Sequence, residues 1–154
     1  MHSYIFQVSS APIHEDEYTC VSKLYDDDNI DYASLLESDE KKLSAINALI
    51  GGSNGIFYSD SSDSISISEN LDYSKKIFLN RLTNEFSRVN IENIFHLWNI
   101  MNCIENPIVG EYRFIIEDWS PYSASCLDFM SYIESIHKEG KRKIYIGSVF
   151  DYHY

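Results

Sequence analysis

The chain has 154 residues, 44% of them hydrophobic, with 12 Tyr, 8 Phe and 2 Trp and a formal net charge of −12 at pH 7. That apolar share excludes disorder over most of the length and predicts a single globular domain, residues 1–154, able to bury about two-thirds of its unfolded surface. No run reaches the ~20 apolar residues of a membrane span. The opening MHSYIFQVSS lacks the basic start and apolar centre of a signal peptide, so a cytoplasmic protein is expected.

The first predicted element is a strand near 4–8 (YIFQV), broken by Ala11-Pro12 because proline cannot donate to a ladder. YTCVSKLY, residues 18–25, suits either a second strand or part of a helix. The acidic run DDDNID follows as a loop, with Asp31 as N-cap of a helix carrying Leu36, Leu43, Ile46 and Ile50 at helical spacing. Gly51-Gly52 is expected to end that helix in the left-handed conformation. Strands near 56–59 and 64–68 flank DSSD as a hairpin with a four-residue turn, Ile65 and Ile67 on one face and Ser64, Ser66 and Ser68 on a wet one.

Phe78, Leu82, Phe86 and Val89 make a helical stripe over about 72–89. The next helix, near 91–104, is apolar on most of its circumference and is expected to be buried between other elements. EYRFIIEDW, 111–119, reads as a central strand, and Ser120-Pro121 as an N-cap followed by proline at the first helical position. The helix it opens turns Cys126, Phe129, Met130, Ile133, Ile136 and His137 inward and stops at Gly140. The last strand, near 142–153, places Ile144, Ile146, Ser148, Phe150, Tyr152 and Tyr154 on a core face and Lys143, Tyr145, Gly147, Val149, Asp151 and His153 on the other. The fold class is α+β, a small mixed or antiparallel sheet packed with about four helices. If the strands flanking the last helix are parallel in one sheet, that unit is a right-handed crossover.

HEDE, His14 to Glu17, gathers ligand atoms, but neighbours on an extended loop point apart, so a solvated loop is expected. DDDNID and DSSDSISISE fail the calcium-loop pattern, with Asp31 and Ile65 at the glycine position. GGSNG runs from helix to strand, the reverse of a phosphate-cradling loop. His96 and Cys103 stand about 10 Å apart along one helix, too far for a dyad. Cys20, Cys103 and Cys126 show no paired spacing and read as small buried hydrophobes in a reducing compartment. Glu117 and Asp118 point to opposite sides of a strand, so they do not form an acid–base pair. Trp98 and Trp119 read as core or interface anchors. Asp151 and His153 share a face, roughly 6–7 Å apart, which permits a small enzyme site, though exposure is the simpler reading. No metal or cofactor is implied.

Charge is lopsided. Residues 1–69 hold thirteen Asp/Glu against Lys23, Lys41 and Lys42, a balance of −10, and residues 70–154 hold eleven against nine, a balance of −2. This argues against direct nucleic-acid binding and favours docking onto a basic protein. The expected function is a non-enzymatic acidic binding protein that neutralises or regulates a basic toxin, nuclease or defence effector. In general character this is the work of an immunity protein or inhibitor, though no family motif carries the likeness. The alternatives are an anti-restriction or anti-CRISPR inhibitor that mimics nucleic acid, and the small enzyme at Asp151/His153. The expected contact residues are Glu15, Asp16, Glu17, Asp26, Asp27, Asp28 and Asp31, with Asp60 and Asp63 as a second patch, and Tyr25, Tyr32 and Tyr58 beside them.

Overall fold

Eleven consecutive strand residues, Lys143–His153, make the longest element of the sheet and organise the rest of it. The structure is a computed structural model and describes residues 3–26, 32–94 and 97–153. Among these, the strands are β1 (Ser3–Ser9), β2 (Tyr32–Leu35), β3 (Phe57–Ser61), β4 (Ser64–Ile67), β5 (Tyr112–Ile116), β6 (Ser120–Ala124) and β7 (Lys143–His153). The helices are α1 (Asp39–Gly52), α2 (Leu71–Ser87), α3 (Leu97–Glu105) and α4 (Cys126–Lys138), with short 3-10 segments at Glu15–Glu17 and Val21–Asp26. The fold is α+β. Its one sheet has seven strands in the order β3-β4-β7-β1-β5-β6, with β2 also paired to β7, and only the β1–β5 pair is parallel.

The sheet is therefore larger than expected. β2 occupies residues assigned above to the front of a helix, because the far half of β7 offers a ladder from Tyr32↔His153 to Leu35↔Phe150. The helix begins later, with Ser38 as its N-cap and Asp39 and Glu40 in the first turn, where the helix dipole favours carboxylates. Asp31, the expected cap, lies outside the described residues. The helix also runs through Gly51 and Gly52 rather than stopping there. A Cβ on Gly52 would meet the Val109 carbonyl oxygen at 2.0 Å, so that glycine serves close approach, while the left-handed turn falls on Asn54 and Gly55.

Ser120-Pro121 does not open a helix. It starts β6, an edge strand, where a proline is tolerated. The cap is Ser125, whose Oγ accepts from Asp128 N (3.1 Å) while Asp128 Oδ2 accepts from Ser125 N (3.0 Å). With β6 inserted, β5 runs antiparallel to β7, and the crossover through α4 joins β6 to β7 instead. The β3–β4 turn is tighter than expected: strand pairing reaches Ser61↔Ser64, and Ser64 is buried.

The alternation read along β7 breaks in the middle. Phe6 pairs with Val149 and Val8 with Ile146, so Gly147 and Ser148 together oppose Gln7. This bulge flips the pleat. Ile144, Ile146 and Val149 consequently face α1, α4 and the start of α2, while Phe150 and Tyr152 face the opposite side with Ile5, Leu24, Ala33 and Ile115. The helix-side core is centred on Phe114 and Phe129, stacked at 3.8 Å between centroids, with Phe6 and Phe57 against them. Each such buried ring stabilises the fold by about 1.5–3 kcal/mol.

α3 departs most from expectation. Among the described residues its α-helix is Leu97–Glu105, and it lies on the surface, burying Ile100 but leaving Trp98 70% exposed. It packs on α2, and the Arg81 guanidinium of α2 donates to the Cys103 and Asn106 carbonyls at its end.

Candidate protein-binding surface

The loop from Ser10 to Cys20 crosses the face of the sheet opposite the helices, and Gln7 holds it there. Gln7 is fully buried at the β7 bulge. Its Nε2 donates to the Glu17 carbonyl (2.9 Å) and to Glu117 Oε1 (2.7 Å), and its Oε1 accepts from Thr19 N (3.0 Å) and Ser148 N (2.9 Å). Ser148 Oγ donates to the Thr19 carbonyl (2.9 Å). Every polar atom of the Gln7 amide is thus used, which fixes the loop without leaving a buried group unpaired.

The same anchoring sets out Glu15, Asp16 and Glu17 as an exposed 3-10 turn. Glu17 is partly structural, because its Oε2 accepts from His14 N at 2.9 Å. Glu15 and Asp16 carboxylates have no hydrogen bond or ion pair among the described residues. Tyr18 follows, 38% exposed, with the Lys42 ammonium 5.7 Å from its ring centre. Burial raises the Tyr18 phenol above its ordinary pKa, and the Glu15 and Asp63 carboxylates raise it further. Glu15 and Asp63, 48 positions apart in sequence, thus both lie near enough to Tyr18 for their charges to act on it.

Lys42 lies inside this surface. Burial lowers its pKa, and Asp63 and Asp39 pull the other way. Its Nζ also donates to the Ile146 carbonyl at 3.4 Å. Asp60 is committed differently: it is paired with Lys143 at 2.5 Å and accepts from Ser64 Oγ at 2.8 Å, contacts that lower its pKa. It ties the hairpin to β7. Tyr18, Asp39 and Lys42 did not stand out in the sequence; the available signal was Tyr18 directly following HEDE. The Asp26 side chain and Asp27, Asp28 and Asp31 lie outside the described residues, as does the Tyr25 side chain. Tyr32 and Tyr58 are exposed on β2 and β3.

Set against protein-family models, curated proteins and solved structures, this chain matches none.

The remaining candidates form no reacting constellation. Asp151 is half-buried, paired across the ladder with Tyr4 and Ser34 rather than standing on an open face, and the His153 side chain lies outside the described residues. Glu117 and Asp118 do point into different networks. Glu117 joins Gln7, and Asp118 accepts from Tyr132 Oη (2.6 Å) and Ser10 Oγ (2.6 Å), with Lys141 Nζ donating to Ser10 Oγ (2.9 Å). Trp119 stacks on Tyr132 at 5.6 Å but is half exposed, and neither tryptophan is a core residue. Of the cysteines only Cys126 is buried, and burial pushes its thiol up to about 11, which keeps it protonated. Cys20 is exposed, and bonding to Ser22 lowers its thiol. Among the described residues no three His, Cys, Asp or Glu side chains converge as metal ligands, and no helix is long and apolar enough to cross a membrane. A groove of about 200 Å³ lies between α2 and α4, lined by Leu71, Phe78, Leu127 and Met130.

Proposed function

We propose that this protein is a non-enzymatic cytoplasmic binding protein that neutralises or regulates a basic protein partner, docking it on the surface around Tyr18. The observation carrying this reading is the placement of the exposed Tyr18 just after Glu15 and Asp16, with Lys42 linking it to the hairpin that bears Asp63. The Lys42 ammonium lies 5.7 Å from the Tyr18 ring centre and donates to the Ile146 carbonyl, and Ile146 N donates to the Asp63 carbonyl. A tyrosine offers contact area at small entropic cost, and carboxylates around it that have no ion pair among the described residues steer and orient a cationic patch. Of these, Asp63 accepts from Ser61 Oγ (2.5 Å). Glu15, Asp16, Asp39 and Asp63 are the contact carboxylates, while Asp60 and Glu17 shape the surface from within. Lys42 and Lys143 interrupt the acidic row, which suits a protein partner with mixed charges better than imitation of an even phosphate backbone. A toxin, nuclease or defence effector with a cationic active-site rim fits this chemistry.

The test is affinity capture of a basic partner at low and high salt, with a Glu15→Lys/Asp63→Lys variant beside the native chain. One basic protein should be retained stoichiometrically by the native chain, with affinity falling roughly 10-fold or more in the variant and with rising salt. Binding that survives both the reversal and the salt would place the interface elsewhere.

A further inference from the structure

Leu97, Trp98, Met101 and Ile104 recur along α3 at the three- and four-residue spacing that lines them up on one side of a helix. All four are exposed, Trp98 by 70% and Met101 by 58%, while Ile100, three residues from Leu97 and four from Ile104, is buried along one edge of the stripe. We propose that this face is an interface between two copies of the chain, α3 packing on its own copy about a two-fold axis.

Area supports a partner. The four side chains leave roughly 400 Å² of apolar surface open, about the size of the largest patch on a typical monomer. On each copy the stripe supplies about half of the ~800 Å² that each side of a standard interface contributes, the size of a weak, concentration-dependent dimer. Charge decides which partner. Between Glu92 and Glu105 there is no Asp, Glu, Lys or Arg, so a basic protein finds nothing to pair with here. A second copy of a −12 chain is repelled wherever carboxylates face one another, and it can approach closely only across an uncharged face. The stripe is also self-complementary, since Trp98 and Met101 of each copy can fill the gaps beside Leu97 and Ile104 of the other.

Sedimentation equilibrium of the full chain from low to high micromolar concentration tests this, at low and high salt. The expected result is a concentration-dependent dimer that tightens as salt screens the net charge, opposite in sign to the salt response of the acidic surface. Met101→Glu should weaken the dimer by roughly 30-fold or more, and Trp98→Gln should do so with less risk to folding. Tyr58→Asp, an equal charge change on the exposed face of β3, should leave it intact. A native chain that stays monomeric throughout, or a dimer indifferent to Met101→Glu and Trp98→Gln, overturns the proposal and returns the face to a different occupant. Capture of a basic partner by Glu15 and Asp63 is unaffected by either result.

Discussion

Gln7 Oε1 lies 2.5 Å from the position a Cβ would take on Gly147. The bulge in β7 is thus built around a side chain of β1: only a glycine lets the Gln7 amide reach both Ser148 N and Thr19 N. Gly147→Ala should cost about 1–3 kcal/mol, from a contact that neither backbone nor amide can relieve. Gln7→Leu should cost about 2 kcal/mol or more, because it strands two buried N–H groups. It should also loosen the loop bearing Glu15 and Tyr18, so partner affinity falls with it. Urea unfolding of both variants, with a binding isotherm for Gln7→Leu, checks the pair. Neutral Gly147→Ala stability would mean the bulge is not held in this way.

Neighbouring glycines in α1 should respond with opposite sign. A Cβ on Gly51 meets nothing within 4 Å, so Gly51→Ala should stabilise by about 0.5–1 kcal/mol, the usual gain for a helical glycine. Gly52→Ala forces a methyl into the Val109 carbonyl, 2.0 Å away, and threatens the Val109 N to Gly52 O bond of 2.8 Å. It should destabilise by about 1–3 kcal/mol. Thermal and urea unfolding of the two variants gives the sign directly.

Tyr132 and Asp118 predict a stability that depends on pH at both ends. Burial, and then the bond to Asp118, raise the Tyr132 phenol far above its ordinary value of 10.0. A folded pKa above the unfolded one contributes stability that is fully present below about pH 10 and is lost as pH climbs toward the folded value. For Asp118, burial alone acts to raise the pKa, but hydrogen bonds from Ser10 and Tyr132 outweigh it and bring the group below 3.8. Its contribution is present above the unfolded value and lost as pH falls through the folded one. Tyr132→Phe should cost about 1 kcal/mol at neutral pH. It should also flatten the alkaline decline and shallow the acid one. Denaturant midpoints across pH 3–5 and 9–11 measure both limbs.

Local chemistry determined much of this protein without help. The hairpin at Ile65 and Ile67, the inward row Cys126, Phe129, Ile133 and Ile136, and the shared face of Ile144 and Ile146 before the bulge follow from periodicity, because a side chain's face is set by the helix or strand that carries it. Three things were decided only by the tertiary structure, each through a contact between distant segments. The pleat of β7 flips because Gln7, 140 positions earlier, lodges against Gly147. Residues 32–35 become a strand because β7 is long enough to hold a further partner beyond β4. α3 stays on the surface because it packs on α2 and α4 along one side only, and no count of its apolar residues reveals how many neighbours it will find. The candidate site divides in the same way. Its carboxylates are legible as composition, but their nearness to Tyr18 depends on a loop pinned by a buried amide, and pairwise distance between remote residues is not written in either segment alone.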